Sequence, residues 1–412
     1  MRRGLFLILA SVCLQALLGW LFGHAYDLRI FMATGFLSGT GANPYVARDL
    51  SAVFHDPGFR GITTIGYPPP WPLLTGLVYR LVYAPLASLR LYNLALKAPI
   101  IAGNVLLAGL AARVLEEQGA GADRARAARL FLLFNPFLLY TSSAWGQFDT
   151  LVALCSLSAL GLLARRRTLA AGLLLALAVS AKPTALPLAV AGLLYGPGKP
   201  WRWLGGLALG FAAFGAAPFL LFGWSLEPIL RGWNAHFTVA GGMSLLSFFE
   251  LWQKGYRLPG ATWLLGLVWL PALACGALIL RKRPPADYAG LLKAGLALTL
   301  MVFLTQAWLS EPNIDLILPL ALLLVLLGDL PPLVLTALWV VPLVFTVLND
   351  SLAQLLALTY PGLAEAMTRL SRGAHTARVL ARSAVVLPWQ VAGWWIVCRC
   401  FRRPPLAEEA PC

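Results

Sequence analysis

Runs of about 20 apolar residues recur along the chain and are separated by short clusters of charged residues. Because lipid offers the backbone no hydrogen-bond partners, a run of this length is expected to form a helix that spans the bilayer, in which the backbone N–H and C=O groups bond to one another. Of the 412 residues 59% are hydrophobic and 12% are charged, whereas soluble domains carry about 25% charged residues. The sequence therefore predicts an all-α, polytopic membrane protein.

Basic residues in the short loops orient the predicted helices, because cytoplasmic loops of membrane proteins are rich in Lys and Arg. The clusters Arg2-Arg3, Arg165–Arg167 and Arg281–Arg283 lie on one side when the chain is divided into about twelve helices. The apolar run of residues 4–23 is then an uncleaved signal anchor, since it is longer than the core of a signal peptide. Much of the net charge of +15 lies in these short loops, where the basic residues set the topology. No nucleic-acid partner is therefore expected.

This division predicts one integral-membrane domain, residues 1–412, with three large extracytoplasmic loops at 24–90, 225–262 and 349–383. Short polar breaks at 142–149, 181–184 and 310–313 lie on the same side, and the charged segment 116–129 is a cytoplasmic loop. Polar breaks between short helices are typical of a substrate cavity. The six cysteines show no ligand spacing, so neither a disulfide nor a metal–thiolate site is predicted. We expect a multi-pass protein of a prokaryotic plasma membrane.

An acidic residue, Asp27, stands directly after the first predicted helix and opens the loop of residues 24–90. The loop continues with Ser38-Gly-Thr-Gly-Ala-Asn-Pro-Tyr45 and Gly66-Tyr-Pro-Pro-Pro-Trp-Pro72. A carboxylate at the edge of a low-dielectric site is expected to have a raised pKa, which improves it as a base. The residues leave two interpretations open, a solvated helix flank and a general base at the membrane surface.

The order of these motifs resembles the first extracytoplasmic loop of the GT-C superfamily of membrane glycosyltransferases. In particular it is similar to the catalytic subunit of GPI mannosyltransferase I and related polyprenyl-phosphate-sugar-dependent enzymes, in which an acid after helix 1 precedes an aromatic residue, a Gly, a Pro-Tyr and a Tyr-x-Pro. The last element corresponds here to Tyr67-Pro-Pro-Pro70. The resemblance implies a GT-C-type bundle with Asp27 as the catalytic acid. That family often has two acids separated by one residue, and this chain has Ala25 at the first of them, which weakens the case for a metal-binding acid pair.

Three further segments resemble the same superfamily, namely Asn135-Pro136 with Trp145-Gly-Gln-Phe-Asp149, Lys182-Pro183, and Ser310-Glu-Pro-Asn-Ile-Asp315. A lysine between two apolar runs is costly and is a functional candidate by default; the alternative for Lys182 is a side chain that extends to the headgroups. Asp149 and Glu311 are either helix caps or ligands of substrate hydroxyls. Asp315 is a further candidate for a helix cap or for hydroxyl binding, and both Glu311 and Asp315 could instead pair with an arginine of an outer loop.

The resemblance implies transfer of a hexose, with mannose as the first candidate, from a polyprenyl-phosphate donor to a lipid-linked or glycan acceptor in glycolipid biosynthesis. Asp27 would be the general base, Lys182 would hold the donor phosphate, and no cofactor is expected, a divalent metal being possible but not indicated. The candidate substrate-binding residues are Lys182, Asp149, Gln147, Glu311, Arg29, Tyr67 and His236. The loop cations Arg48, Arg60, Arg231, Lys254 and Arg257 are either phosphate ligands or headgroup contacts.

Two other classes of protein stay open. In a membrane transporter or lipid flippase, Lys182 and Asp149 would form a coupling pair. A non-catalytic subunit of a glycosyltransferase complex would tolerate the loss of Asp27.

Overall fold

The computed structural model describes residues 2–236, 239–251, 258, 260–349, 351–373 and 375–402, and this part of the protein is mostly helical. The α-helices are α1 (Arg2–Leu21), α2 (Ala25–Gly39), α3 (Ser51–Phe54), α4 (Pro70–Val78), α5 (Ala84–Leu86), α6 (Leu89–Glu117), α7 (Ala122–Phe134), α8 (Pro136–Leu138), α9 (Asp149–Ala164), α10 (Thr168–Ala181), α11 (Leu186–Leu193), α12 (Pro200–Gly210), α13 (Ala217–Phe222), α14 (Glu227–His236), α15 (Trp269–Lys282), α16 (Tyr288–Thr305), α17 (Leu318–Leu327), α18 (Leu333–Leu348), α19 (Ser351–Leu356), α20 (Pro361–Gly373) and α21 (His375–Phe401). Segments of π-helix at Tyr79–Tyr83, Leu139–Trp145 and Phe211–Ala216 continue neighbouring α-helices, and 3₁₀ turns lie at Pro57–Phe59, Pro183–Ala185, Leu245–Leu251, Gly260–Leu267 and Glu311–Leu316. Two short strands are β1 (Gly241–Gly242) and β2 (Trp308–Leu309).

Within the described residues, 6 helices are long and apolar enough to cross a membrane. They are Gly4–Leu21, Leu89–Glu117, Pro200–Phe222, Leu264–Lys282, Tyr288–Thr305 and Thr376–Phe401, and shorter apolar helices lie at Asp149–Ala164, Thr168–Ala181, Pro183–Leu193 and Leu333–Leu348. The predicted total of about twelve spans is therefore not confirmed. Polar breaks divide the central part of the chain into helices shorter than the roughly 20 residues that a bilayer requires.

The predicted loop of residues 24–90 is largely helical. Its helices α2 and α4 lie so close together that a Cβ on Gly35 would be 2.7 Å from the carbonyl oxygen of Thr75. Phe31 on α2 packs edge-on against Trp71 on α4, with ring centroids 5.3 Å apart. The Gly and Pro residues that surround these helices are typical of loops, and the sequence prediction missed the helices for that reason.

Two predicted loop boundaries are wrong. The charged segment after Gly121 forms the first turns of α7, where the carboxylate of Asp123 is favourable at the positive end of the helix dipole. Helix α21 begins at His375, although the sequence predicted a loop up to residue 383. Ala and Arg are good helix formers, so this helix extends beyond its apolar part.

The predicted break at 181–184 is confirmed, as is the helix start at Asn135. The predicted break at 142–149 is confined to residues 146–148, because residues 142–145 belong to the π segment. The Asn135 side chain accepts the N–H groups of the next helical turn at 3.0 and 3.2 Å. Gly146 ends the π segment with a φ of 98°, which disfavours residues with a side chain. Lys182 is extended, with φ −151° and ψ 122°, because the residue before a proline is disfavoured in the α conformation.

The centre of the bundle is formed by α16 and α17, which are buried on almost all sides. A helix that is apolar all round is stable only when other helices surround it. The strands β1 and β2 pair in parallel and bring residues 239–251 beside the segment that leads to Glu311. The polar ends of α1, α9 and α10 lie on one side of this centre, and several of the predicted site residues, Asp27, Gln147, Asp149 and Lys182, lie there.

Candidate active site

The end of α1 and the start of α2 place Asp27 in the first turn of a helix. His24 caps α2, and its Nδ1 accepts the N–H of Asp27 at 3.4 Å. The backbone N–H of His24 donates to the backbone carbonyl of Trp145 at 3.2 Å. The side-chain rings of the two residues stack, with their centroids 4.4 Å apart. Because the N-terminus of a helix carries partial positive charge, this position favours an ionised carboxylate.

One carboxylate oxygen of Asp27 is fixed, whereas the other is open. Oδ2 accepts from Trp145 Nε1 at 2.6 Å and from Gln147 Nε2 at 2.9 Å, and it lies 3.1 Å from His24 Nδ1. None of the described residues donates a hydrogen bond to Oδ1. The side chain is 23% exposed, so the described residues leave Oδ1 free to accept a further hydrogen bond.

The pKa of the Asp27 carboxyl lies below its ordinary value. Burial raises this pKa, but the electrostatic effect of the nearby His24 ring and the hydrogen bonds from Trp145 and Gln147 lower it by more. The expectation of a raised pKa was therefore wrong, since donors that stabilise the carboxylate outweigh its desolvation. Asp27 is consequently ionised at neutral pH and available as a proton acceptor.

A buried ion pair lies next to this carboxylate. Lys182 Nζ is 2.7 Å from both oxygens of Asp149, and the side chains are 6% and 0% exposed. The ammonium also lies 5.5 Å from the ring centroid of Tyr67 and 5.8 Å from that of Phe148. Helix α9 has no side-chain cap, so the capping interpretation of Asp149 was wrong, and its carboxylate is engaged by Lys182.

The 3₁₀ segment Glu311–Leu316 adds two buried carboxylates to the same region. Glu311 Oε1 accepts from Asn349 Nδ2 at 2.7 Å, and Asn349 Oδ1 accepts from Arg382 Nη1 at 2.7 Å. Burial raises the pKa of Glu311, and the charges of His24 and Asp27 act on it in opposite directions. Glu311 therefore lies close enough to Asp27 for the charge of the Asp27 carboxylate to raise its pKa.

Asp315 lies at the other end of that segment, near the ion pair. Its Oδ2 accepts the hydroxyl of Thr141 at 2.8 Å, and its Oδ1 is buried without a partner among the described residues. Within the same described part of the chain, no three His, Cys, Asp or Glu side chains are grouped as a metal site requires.

The sequence profile of glycosyltransferase family 87 matches residues 74–312, which is more than half of the 412-residue chain. The chain belongs to glycosyltransferase family 87. No curated protein matches it. Membership makes the protein a glycosyltransferase, and its apolar helices are those of a multi-pass membrane protein. The matched range includes Trp145, Gln147, Asp149, Lys182 and Glu311, whereas Asp27 and Tyr67 precede it.

Two predicted substrate-binding residues of this family 87 glycosyltransferase are not brought to Asp27 by any described contact. Arg29 donates from Nη2 and Nε to Asp56 Oδ2 at 2.9 and 3.2 Å, and its guanidinium lies 5.9 Å from the Phe59 ring centroid. These contacts fix the fold of the first loop. His236 is the last residue of α14, and its side chain lies outside the described residues.

Three of the remaining loop cations are exposed. Arg60 lies 3.7 Å from Asp49, Arg231 pairs with Glu227 one turn away, and Arg48 is exposed. Lys254 and Arg257 lie outside the described residues.

Sequence reasoning missed two residues that support the site. Trp145 belongs to the Trp145–Asp149 motif but was not predicted as a site residue, yet its indole N–H makes the shortest described hydrogen bond to Asp27. Lys97 is fully buried in α6 and binds three backbone carbonyls beside His24 and Trp145. A lone lysine inside an apolar run was the signal that could have identified Lys97.

Proposed function

We propose that this family 87 glycosyltransferase transfers a hexose, with mannose as the first candidate, from a polyprenyl-phosphate donor to a lipid-linked or glycan acceptor. The observation that supports this most is the Asp27 carboxylate, which has one oxygen fixed by Trp145 and Gln147 and the other open. Transfer from a sugar phosphate needs a base for the acceptor hydroxyl. It needs no acid for the leaving group, because a phosphate departs without protonation.

In the proposed reaction Asp27 Oδ1 takes the proton of the acceptor hydroxyl while the hydroxyl oxygen bonds to C1 of the donor sugar. The bond between C1 and the phosphate oxygen breaks, and its electron pair leaves with the polyprenyl phosphate. Attack on the face opposite the phosphate inverts the configuration at C1. The hydrogen bonds to Oδ2 hold the carboxylate in one orientation, which places Oδ1 at the nucleophile without reorganisation during the reaction.

We assign the donor phosphate to Lys182, with Asp149 as the residue that positions it. The ammonium is buried against Tyr67 and Phe148, and attraction between charges is stronger in such a low-dielectric site than in water. The donor phosphate would contact Lys182 Nζ, which already contacts the Asp149 carboxylate and the Tyr67 ring. Asp149 therefore acts on the sugar phosphate through Lys182 rather than as a free carboxylate.

Gln147 and Glu311 are the proposed ligands of sugar hydroxyls. Gln147 Nε2 bonds Asp27, while its Oε1 is buried with no partner among the described residues. A buried acceptor without a donor costs about 1–3 kcal/mol, and a substrate hydroxyl next to the reacting one would supply that donor. Glu311 is a further buried carboxylate, and it is close enough for the charge of Asp27 to act on it.

The distribution of basic residues supports an extracytoplasmic site. Helix α9 begins at Asp149, in the site, and ends immediately before Arg165–Arg167. Helix α16 begins shortly after Arg281–Arg283 and ends at Thr305, before the segment of Glu311. Because short loops rich in arginine stay in the cytoplasm, we assign the opposite helix ends, and with them the site, to the extracytoplasmic face of the membrane.

The test is sugar transfer by the purified full chain in lipid nanodiscs, with a lipid extract of the source cells as acceptor. Labelled polyprenyl-phosphate mannose, polyprenyl-phosphate glucose and GDP-mannose are supplied separately. We expect product from a polyprenyl-linked donor, inverted at C1 by NMR, and none from GDP-mannose. Product from GDP-mannose alone would refute the donor class. Absence of transfer from every donor, together with substrate flux across proteoliposomes, would favour the transporter alternative.

A further inference from the structure

A lysine lies fully buried in α6, one of the helices that are long and apolar enough to cross a membrane, and none of its described partners is an acid. Lys97 Nζ donates to the carbonyl oxygens of Phe22 at 2.6 Å, Ala144 at 3.0 Å and Gly19 at 3.4 Å. An ammonium has three N–H donors and no acceptor, so these three carbonyls match its full capacity. A charge placed inside a membrane span is costly and is functional by default.

The three carbonyls belong to the ends of two helices. Gly19 lies in the last turn of α1 and Phe22 directly follows that helix, whereas Ala144 lies in the last turn of the π segment Leu139–Trp145. Carbonyls at a helix C-terminus have no partner within the helix and carry partial negative charge. Lys97 therefore caps both helices with one cation. Its stem passes so close to Gly146 that a Cβ there would lie 3.0 Å from Lys97 Cε.

Each capped end leads directly to a residue that holds Asp27. Trp145 follows Ala144, and its Nε1 lies 2.6 Å from Asp27 Oδ2. His24 comes two residues after Phe22, and its Nδ1 lies 3.1 Å from the same oxygen. We infer that Lys97 is a positioning residue for sugar transfer, whose ammonium fixes the two helix ends that orient the Asp27 carboxylate. This inference rests on the proposed role of Asp27 as the base.

Asn93 provides a matched control one turn earlier on α6. Its Nδ2 donates to the carbonyls of Gly19 at 2.8 Å and Phe22 at 3.0 Å, and no described bond joins it to Ala144. Asn93→Leu and Lys97→Met each remove donors from the end of α1. Only Lys97→Met also releases Ala144, and with it the anchor of Trp145.

The pH dependence of transfer separates positioning from general stability. His24, Tyr67, Lys182 and Glu311 are the titratable groups that act on Asp27 in the described structure. Burial raises the pKa of Asp27, while the contacts of its donors lower it. Loosening the donors therefore moves the acidic limb of kcat/KM to higher pH. A misplaced base lowers kcat, by about tenfold or more, and leaves KM unchanged.

The experiment compares wild type, Lys97→Met, Asn93→Leu, Trp145→Phe and the double variant Lys97→Met/Trp145→Phe. We expect the acidic limb to move up in Lys97→Met, and to move up less in Asn93→Leu, which loosens the end of α1 next to His24 and leaves Ala144 and Trp145 in place. In the Trp145→Phe background, Lys97→Met should move the acidic limb much less, because the indole N–H that Lys97 positions is already absent. An unmoved limb in Lys97→Met, an equal shift in Asn93→Leu, or additive effects in the double variant would overturn the inference.

Hydrogen exchange distinguishes failure of this inference from failure of the proposed function, since it requires no transfer. Lys97→Met should accelerate exchange in residues 22–28 and 144–148, and Asn93→Leu only in the first segment. Unchanged exchange at 144–148 would contradict the link even if wild type is active. If Lys97→Met does not fold, Lys97→Gln, whose amide has two donors, takes its place with smaller changes of the same sign; absence of any change would again overturn it.

Discussion

Neutralising Lys182 alone is expected to destabilise the protein more than removing both charges of its ion pair. Asp149 is 0% exposed, and its two oxygens lie 2.7 Å from Lys182 Nζ. No other described side chain donates to this carboxylate. Lys182→Met therefore leaves a buried charge without compensation, whereas Lys182→Met/Asp149→Leu leaves two apolar side chains of similar size.

The magnitude follows from these contacts. Removing one partner of a buried ion pair costs about 3–5 kcal/mol, while replacing both partners by apolar residues is often neutral. The contact of the ammonium with Tyr67 and Phe148 adds roughly 0.5–2 kcal/mol, and both variants lose it. We expect Lys182→Met to lower the free energy of unfolding by about 5 kcal/mol and the double variant by about 1 kcal/mol.

The assay is unfolding in mixed micelles by titration with SDS, followed by tryptophan fluorescence. Arg231→Met is the control, since the pair of Arg231 with Glu227 is exposed and such pairs contribute little. A double variant that is less stable than Lys182→Met, or a Lys182→Met variant as stable as wild type, would refute the reasoning. If Lys182 also binds the donor phosphate, the double variant is stable and does not transfer sugar.

Further perturbations test other parts of the structure. Gly146→Ala should lower the free energy of unfolding by about 1–2 kcal/mol, because the φ of 98° and a Cβ 3.0 Å from Lys97 Cε strain the new side chain; thermal unfolding measures this. Arg29→Met and Asp56→Asn should lower stability equally, by about 1 kcal/mol, and leave the donor KM unchanged, since the two residues pair with each other; a raised KM in Arg29→Met alone would show that Arg29 contacts the donor. The depressed pKa of Asp27 adds stability that is complete above the unfolded pKa of about 3.9 and is lost as pH falls through the folded pKa. The difference in unfolding free energy between wild type and Asp27→Asn should therefore shrink as pH falls below about 4, and a difference that grows would contradict this.

The membrane class and most helix breaks were predictable from the sequence, because each has a local cause. Apolar runs specify spans without reference to the rest of the chain. Gly146 and the Lys182-Pro183 step interrupt helices through their own backbone preferences. The helices of the first loop were not predictable in this way, since α2 is stabilised by packing against α4, a segment far from it in sequence.

The candidate site was predicted in part. The sequence singled out Asp27, Gln147, Asp149 and Lys182, and the structure brings them together. The donors around Asp27 could not be predicted, because Trp145 contacts it across 118 positions of the chain. The predicted direction of the Asp27 pKa shift was wrong for the same reason, since the shift depends on hydrogen-bond donors that only the folded chain brings to the carboxylate.

The central claim is that Asp27 is the base of sugar transfer. The most direct measurement is the transfer rate of Asp27→Asn beside Asp49→Asn, a matched change at an exposed acid of the same loop. We predict that Asp27→Asn loses at least about 100-fold in kcat while it elutes and fluoresces as wild type does, and that Asp49→Asn transfers at the wild-type rate. Equal turnover by folded Asp27→Asn and wild type would contradict the account.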